Sequence, residues 1–217
     1  MNFKRAEDAI IFPWLQQNLT PQRTVVDIGA RKGHWFKKIA YYFPDSPAHL
    51  FEPTPNIYEW LDSKHRKNDR VNIHGVALSD VSATLDFHID LELGGWSGLT
   101  QQREDGKYRT IKVPVKTLDS YKLKNVGLIK IDVEGNELKT IRGAEKTIKS
   151  SKPFVYFECA DVHMTNYDYG SGEIFDFFSN LNYDILDLDL NVCTKEQLQE
   201  HTASNSSLYH NFIAKPK

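Results

Sequence analysis

Apolar positions along the chain fall into two alternating kinds of run. TVVDI (24–28), AHLFE (48–52), GLIKID (127–132) and PFVYFE (153–158) are short, nearly unbroken and rich in β-branched or aromatic residues, as buried strands are. Between them apolar residues recur every three or four positions. Trp35, Phe36, Ile39, Ala40 and Phe43 share one face of a helix over 34–43 that Pro44 ends. Thr54 and Pro55 form the N-cap and first-turn pair of a helix expected to bury Ile57, Tyr58, Trp60 and Leu61. A helix over 136–149 turns Leu138, Ile141, Ala144 and Ile148 inward, and another lies near 173–181. Residues 5–19 read as a short amphipathic helix broken or kinked at Pro13.

The remaining strands are VNIHGVAL (71–78), ATLDFHI (83–89), TIKVPVKTL (110–118), YDILDLD (183–189) and LYHNFIAKP (208–216). Pro114 has no N–H for a ladder and points to an edge position. Residues 90–110 read as a mobile excursion outside the core, and 161–172 as a loop rich in aromatic and polar groups. Strands alternating with helices predict a doubly wound α/β domain, its sheet mostly parallel and covered on both faces. The last two strands suggest an antiparallel hairpin at one edge. The expected organisation is a helical extension over 1–23 and one domain over 24–217.

Bulk properties narrow the function. The 217 residues suffice for a large core without disulfides, and a net charge of −2 argues against a general nucleic-acid binder. Cys159 and Cys193 stand outside any Cys-x-x-Cys unit, so neither a zinc site nor a secreted disulfide framework is expected. No run approaches the roughly 20 apolar residues of a membrane span, and no leader pattern is visible. The expected location is the cytoplasm.

Four of the buried strands stop at a carboxylate: Asp27, Glu52, Asp132 and Glu158. Ligands of open α/β sheets bind outside the carboxyl ends of the strands, so these acids should converge on one crevice. Clustered carboxylates repel one another unless a cation or donor joins them. Glu52, at the end of the second strand, suits the two hydroxyls of a ribose. A dinucleotide and S-adenosylmethionine both carry a ribose, but the first has a pyrophosphate that wants N–H groups and few acids nearby, whereas the second has a sulfonium and an ammonium that acids suit. The loop Gly29-x-x-x-Gly33 also departs from the dinucleotide pattern G-x-G-x-x-G, with Arg31 at the middle glycine. Arg31 and Lys32 pull the other way, since both could meet phosphate.

The segments VVDIGARKGHW, HLFEP, VALSD, GLIKIDVEGNELKTIRGAEKTI, PFVYFE and NFIAK, spread over residues 24–215, resemble the FkbM family of S-adenosylmethionine-dependent methyltransferases. The most specific piece is IDVEGNELKTIRGA, 131–144. The resemblance implies a class I methyltransferase fold, seven strands with the last antiparallel, and O-methylation of a sugar or natural-product hydroxyl. It implies that Asp27, Gly29, Ala30 and Gly33 line the methionine end of the cofactor. Glu52, followed by Pro53, would hold the ribose, and the Gly75–Ala77 turn with Val76 and Ala77 would sit near the adenine. Asp132 would lie by the methyl or the ammonium. Arg31 is a departure, since the family usually has a small polar residue there.

The candidate bases for an acceptor hydroxyl are Asp132, Glu134, Glu158 and His163. Glu134 has a second reading, holding the N-terminus of the following helix. Asp132, Glu158, Asp161 and His163 form a donor set of the kind magnesium takes, but spacing does not establish a site and none is assigned. Trp96, Tyr167 and Tyr169 are candidate walls for a sugar or other small acceptor. Two rival functions remain: an NAD-linked oxidoreductase of similar architecture, and a catalytically silent module that has lost its cofactor through Arg31.

Overall fold

The structure is a computed structural model that describes residues 6–92, 95–203 and 210–217. Its frame is a seven-stranded sheet in the order β3-β2-β1-β7-β8-β10-β9. Here β1 is Thr24–Ile28, β2 Ala48–Phe51, β3 Val71–His74, β7 Val126–Ile131, β8 Phe154–Glu158, β9 Tyr183–Leu186 and β10 Asn211–Pro216. The five strands from β3 to β8 are parallel, as buried apolar strands joined by helices must be. The expected antiparallel pair is present, with β10 inserted between β8 and β9 and antiparallel to both.

Both faces are covered. Val25, Leu128, Tyr156 and Ile213 face α1 (Ala6–Asn18) and α2 (His34–Tyr42), meeting Ile11, Phe12, Leu15 and Ile39. The N-terminal helix therefore packs onto the sheet, and it runs through Pro13 without a break. The neighbouring positions Val26, Ile129, Val155 and Phe157 face the other way, toward α4 (Glu137–Arg142), α5 (Glu145–Ser151), α7 (Ser171–Asn180) and α8 (Lys195–Ala203). This alternation is the period-two signature of a strand with a core on each side.

Several expectations are corrected. VNIHGVAL is two strands, because the chain leaves β3 at Gly75 and joins a second sheet as β4 (Ala77–Leu78). That sheet runs β4-β6-β5, with β5 Ala83–Asp90 and β6 Tyr108–Lys116. Pro114 is thus in the middle strand, but β4 pairs only with Val115 and Lys116, so the proline lies just beyond its ladder. The helix expected over 136–149 is split into α4 and α5 at Ala144, where φ −108° and ψ 5° leave the helical range, beside Gly143, whose missing Cβ lets the Ser79 carbonyl approach. Trp60, on α3 (Pro55–His65), is exposed rather than buried and carries Lys64 Nζ 5.7 Å from its ring centroid.

The excursion after β5 is tied down. Asp90 is buried against Arg103 at 3.0 Å, Gly98 bridges back to His88, and the Tyr108 hydroxyl accepts from the backbone of Gln102 and Arg103. It folds over the carboxyl ends of β1 and β7. No helix of the described residues is long and apolar enough to cross a membrane.

Candidate functional site

A cleft of about 240 Å³ opens at the carboxyl ends of β1, β2 and β7. It is lined by Gly29, Ala30, Glu52, Pro53, Val76, Ala77, Asp132 and Glu134 among the expected residues. Its floor is the loop after β1. Gly29 has φ 74°, and a Cβ there would lie 1.9 Å from the Asp132 carbonyl, so only glycine lets the loop approach the end of β7. Four of the loop's backbone donors are already engaged. Gly29 and Ala30 N–H both donate to Phe51 O, at 3.1 and 3.0 Å, and Gly33 N–H donates to Ala30 O at 2.7 Å. Arg31 N–H donates to Glu52 Oε2 at 2.9 Å.

Glu52 is clamped from both sides, since its Oε1 accepts from Thr54 N–H at 2.8 Å. Burial pushes its carboxyl above the usual range, against hydrogen bonds from the Thr54 side chain and from the Thr54 and Arg31 N–H groups that favour the charged form. Arg31 holds a left-handed backbone, φ 49°, and its guanidinium crosses the mouth of the cleft to Gly95.

Asp27 is placed differently from expectation. It is 0% exposed, does not line the cleft, and lies beneath the first turn of α2. The group between it and the cleft is Lys130, which the sequence reading passed over. Lys130 Nζ lies 3.0 Å from Asp132 Oδ2 and 3.4 Å from Asp27 Oδ1, and donates to Gly29 O at 2.9 Å. Burial opposes its charge, but Asp132 and Asp27 outweigh it and hold the ammonium above the ordinary lysine value. The signal was present: a lysine inside the buried run GLIKID needs a counter-charge. Gly33 sits behind the wall as the N-cap of α2.

A second group adjoins the cleft on the β8 side. His163, on the one-turn helix α6 (Asp161–Met164), has Nδ1 3.2 Å from Glu134 Oε2 and 3.9 Å from Glu158 Oε2. Burial, then the charge of Asp132, raises the carboxyls of both Glu134 and Glu158, while burial lowers His163. Carboxyls raised this far hold their protons near neutral pH, so the neutral imidazole of His163 is the member of the trio left to accept one. The trio's ligating atoms lie within 4.8 Å of one another, so it is also the candidate metal cluster among the described residues. Asp161 is not part of it and instead accepts from Thr202 Oγ1 at 3.1 Å. Holding the helix N-terminus falls to Glu137, not Glu134: its Oε1 accepts from Val133 N–H at 3.0 Å.

Trp96 packs edge-on to His163, ring centroids 5.1 Å apart, beside the trio. Tyr167 and Tyr169 lie 5.3 Å apart behind the Glu134–Gly135 turn, where the Tyr169 hydroxyl donates to Gly135 O. None of the three lines the cleft itself. Cys159 and Cys193 are both buried and unpaired.

This geometry can be set against known proteins. The profile of the methyltransferase FkbM domain matches residues 27–185. The chain belongs to the FkbM methyltransferase family. A curated relative, 2-O-methyltransferase NoeI of Sinorhizobium fredii (strain NBRC 101917 / NGR234), is 27% identical over 161 residues, 66% of each chain. The FkbM methyltransferase of Methylobacillus flagellatus KT superposes with a TM-score of 0.60 at 15% identity, covering 97% of this chain and 48% of that one. A precorrin-6y C5,15-methyltransferase from Geobacter metallireducens GS-15 superposes with a TM-score of 0.54 at 10% identity, covering 100% and 90%. The chain thus spans about half the length of the first structural relative and 66% of the curated one. The fold is that of the class I methyltransferases.

Proposed function

We propose that this FkbM methyltransferase uses S-adenosylmethionine to methylate a hydroxyl of a carbohydrate or natural-product small molecule, in the cytoplasm. The observation that carries the cofactor reading is the closed glycine loop. The N–H groups of Gly29, Ala30, Arg31 and Gly33 are spent within the protein, so the loop has little to offer a pyrophosphate. The NAD reading is weakened accordingly. The acids facing the cleft from the strand ends are Glu52, Asp132 and Glu134, a set that suits a sulfonium and an ammonium. Glu52 would hold the ribose hydroxyls, Val76 and Ala77 the adenine, and Asp132 the amino-acid end. The Arg31 guanidinium reaches toward Gly95, which supports a place for its charge at the mouth of the cleft.

Bound S-adenosylmethionine supplies an electrophilic methyl group on a good leaving group. The chain's task is to orient the acceptor oxygen and take its proton. Glu134 faces the cleft and holds its own proton 3.2 Å from His163 Nδ1, so it can take the acceptor's proton on one oxygen as it passes its own to the neutral imidazole from the other. Trp96 beside His163 offers a ring on which a sugar face can rest. The relative's 2-O-methyltransferase designation supports an oxygen acceptor.

Melting the protein alone, with S-adenosylhomocysteine and with NAD tests the reading. At about 100 dissociation constants a specific ligand adds roughly 2.7 kcal/mol, or about 5–11 °C for a domain of this size. The shift is expected with S-adenosylhomocysteine and lost in Glu52→Ala. A shift with NAD alone would refute the methyl-donor assignment, and no shift with either would favour the silent module.

A further inference from the structure

We infer that Lys130 is the docking point for the carboxylate at the amino-acid end of the cofactor, exchanging Asp132 for that carboxylate when the cleft fills. This rests on the S-adenosylmethionine reading above.

The sheet register sets Asp27 directly beside Lys130, and Asp132, two residues on, shares the face of Lys130. Lys130 has a side chain only 6% exposed, yet it lines the cleft; Asp27 does not. A ligand entering at this end therefore meets the lysine and not the first acid. Asp132 is reachable too, with 42% of its side chain exposed.

An amino-acid end is a zwitterion. Its ammonium suits Asp132, but Lys130 already holds Asp132 at 3.0 Å. An ammonium arriving alone would leave two cations contesting one carboxylate in a poorly solvated site. A carboxylate arriving with it gives Lys130 a replacement partner. Asp27 and the Gly29 carbonyl stay in place behind, and every charge keeps a counter-charge through the exchange.

The loop reinforces the assignment. A glycine loop ordinarily meets an anion with its backbone N–H groups. Here those of Gly29, Ala30, Arg31 and Gly33 are committed elsewhere, which leaves the loop few backbone donors and favours a side-chain one. Arg31 and Lys32 also line the cleft, but both are exposed to solvent, where an ion pair is screened. Lys130 is buried, pre-positioned and held charged by its neighbours.

Titration calorimetry with S-adenosylhomocysteine and its decarboxylated analogue, which keeps the ammonium and lacks the carboxylate, separates the outcomes. The wild type should bind the analogue roughly ten- to a hundred-fold more weakly. In Lys130→Met the two ligands should bind alike. That variant strands Asp27, so Asp27→Asn/Lys130→Met, which removes the buried charges as a pair, is measured beside it and should behave the same way. Equal affinities in the wild type would overturn the inference. So would an unchanged ratio in both variants, since a lysine that only supports the fold weakens both ligands in proportion. Failure of the wild type to bind either ligand would instead remove the cofactor reading, and this inference with it.

Discussion

Single atoms decide much of this site. The hydrogen on Gly29 that stands where other residues carry a Cβ is the clearest case. Gly29→Ala must relieve a 1.9 Å contact with the Asp132 carbonyl and adopt a left-handed backbone. We expect at least about 3 kcal/mol of lost stability by urea denaturation, and no S-adenosylhomocysteine binding in what folds. Glu137 gives a different signature. Burial pushes its carboxyl up to about 7 from 4.5, so the folded state binds its proton more tightly than the unfolded chain. The stability it contributes is complete below about pH 4.5 and is lost as pH rises through about 7. Glu137→Gln, which keeps an acceptor for Val133 N–H, should flatten that part of the pH dependence. Urea midpoints at pH 5 and pH 8 should therefore converge relative to the wild type, and an unchanged gap would show that Glu137 titrates normally. Asp27, Glu52, Asp132 and Glu158 were all visible as strand-ending acids. Burial separates them: Glu52 and Asp132 face the cleft, Asp27 lies behind Lys130, and Glu158 joins His163. Sequence position does not reveal which side of a wall a side chain occupies.

Among elements, the break between α4 and α5 was hidden in a continuous helical pattern. It lies beside a tertiary contact, the passage of Ser79 across Gly143, which no periodicity reports. Gly143→Ala, at an ordinary φ of −67°, should nonetheless cost about 2–3 kcal/mol, because the new Cβ would sit 2.0 Å from the Ser79 carbonyl. A thermal melt showing no loss would mean that the β4 turn yields easily. Helix α8 was missed although its start was legible. Thr194 and Gln197 exchange reciprocal bonds, Thr194 N–H to Gln197 Oε1 at 2.8 Å and Gln197 N–H to Thr194 Oγ1 at 3.2 Å. That is the capping box expected of Thr-x-x-Gln. The excursion over 90–110 was read as outside the core because its glycines and polar residues resemble linker composition, and among its described residues Asp90, Arg103 and Tyr108 use that polarity to make defined contacts.

For the molecule as a whole, strand–helix alternation was enough to read the doubly wound sheet, because burial on both faces leaves long apolar runs that few folds share. The second sheet was not legible, since the turn at Gly75 that diverts β4 into it leaves no mark on the hydrophobic pattern. The same global view explains why α1 matters. Ile11, Phe12, Leu15 and Leu19 cover Val25 and Leu128, the neighbours of Asp27 and Lys130 on the same face. Truncation to residue 21 should expose that face. We expect a melting point at least about 10 °C lower, with dye-detectable apolar surface, and an unchanged melt would show that the helix is dispensable.

The insertion of β10 between β8 and β9 also sets an order of events during synthesis. Asn211 is the register partner of Glu158, and the backbone N–H of Cys159 donates to the His210 carbonyl. The strand end that presents Glu158 to His163 is therefore flanked by residues made some fifty positions later, about 3–10 s at ordinary ribosomal speed. The floor of the cleft, from β1, β2 and β7, is complete well before that. A chain still on the ribosome can thus shape the end of the cleft that holds Glu52 and Lys130 first, while the corner of Glu158 and His163 waits for β10 to leave the exit tunnel.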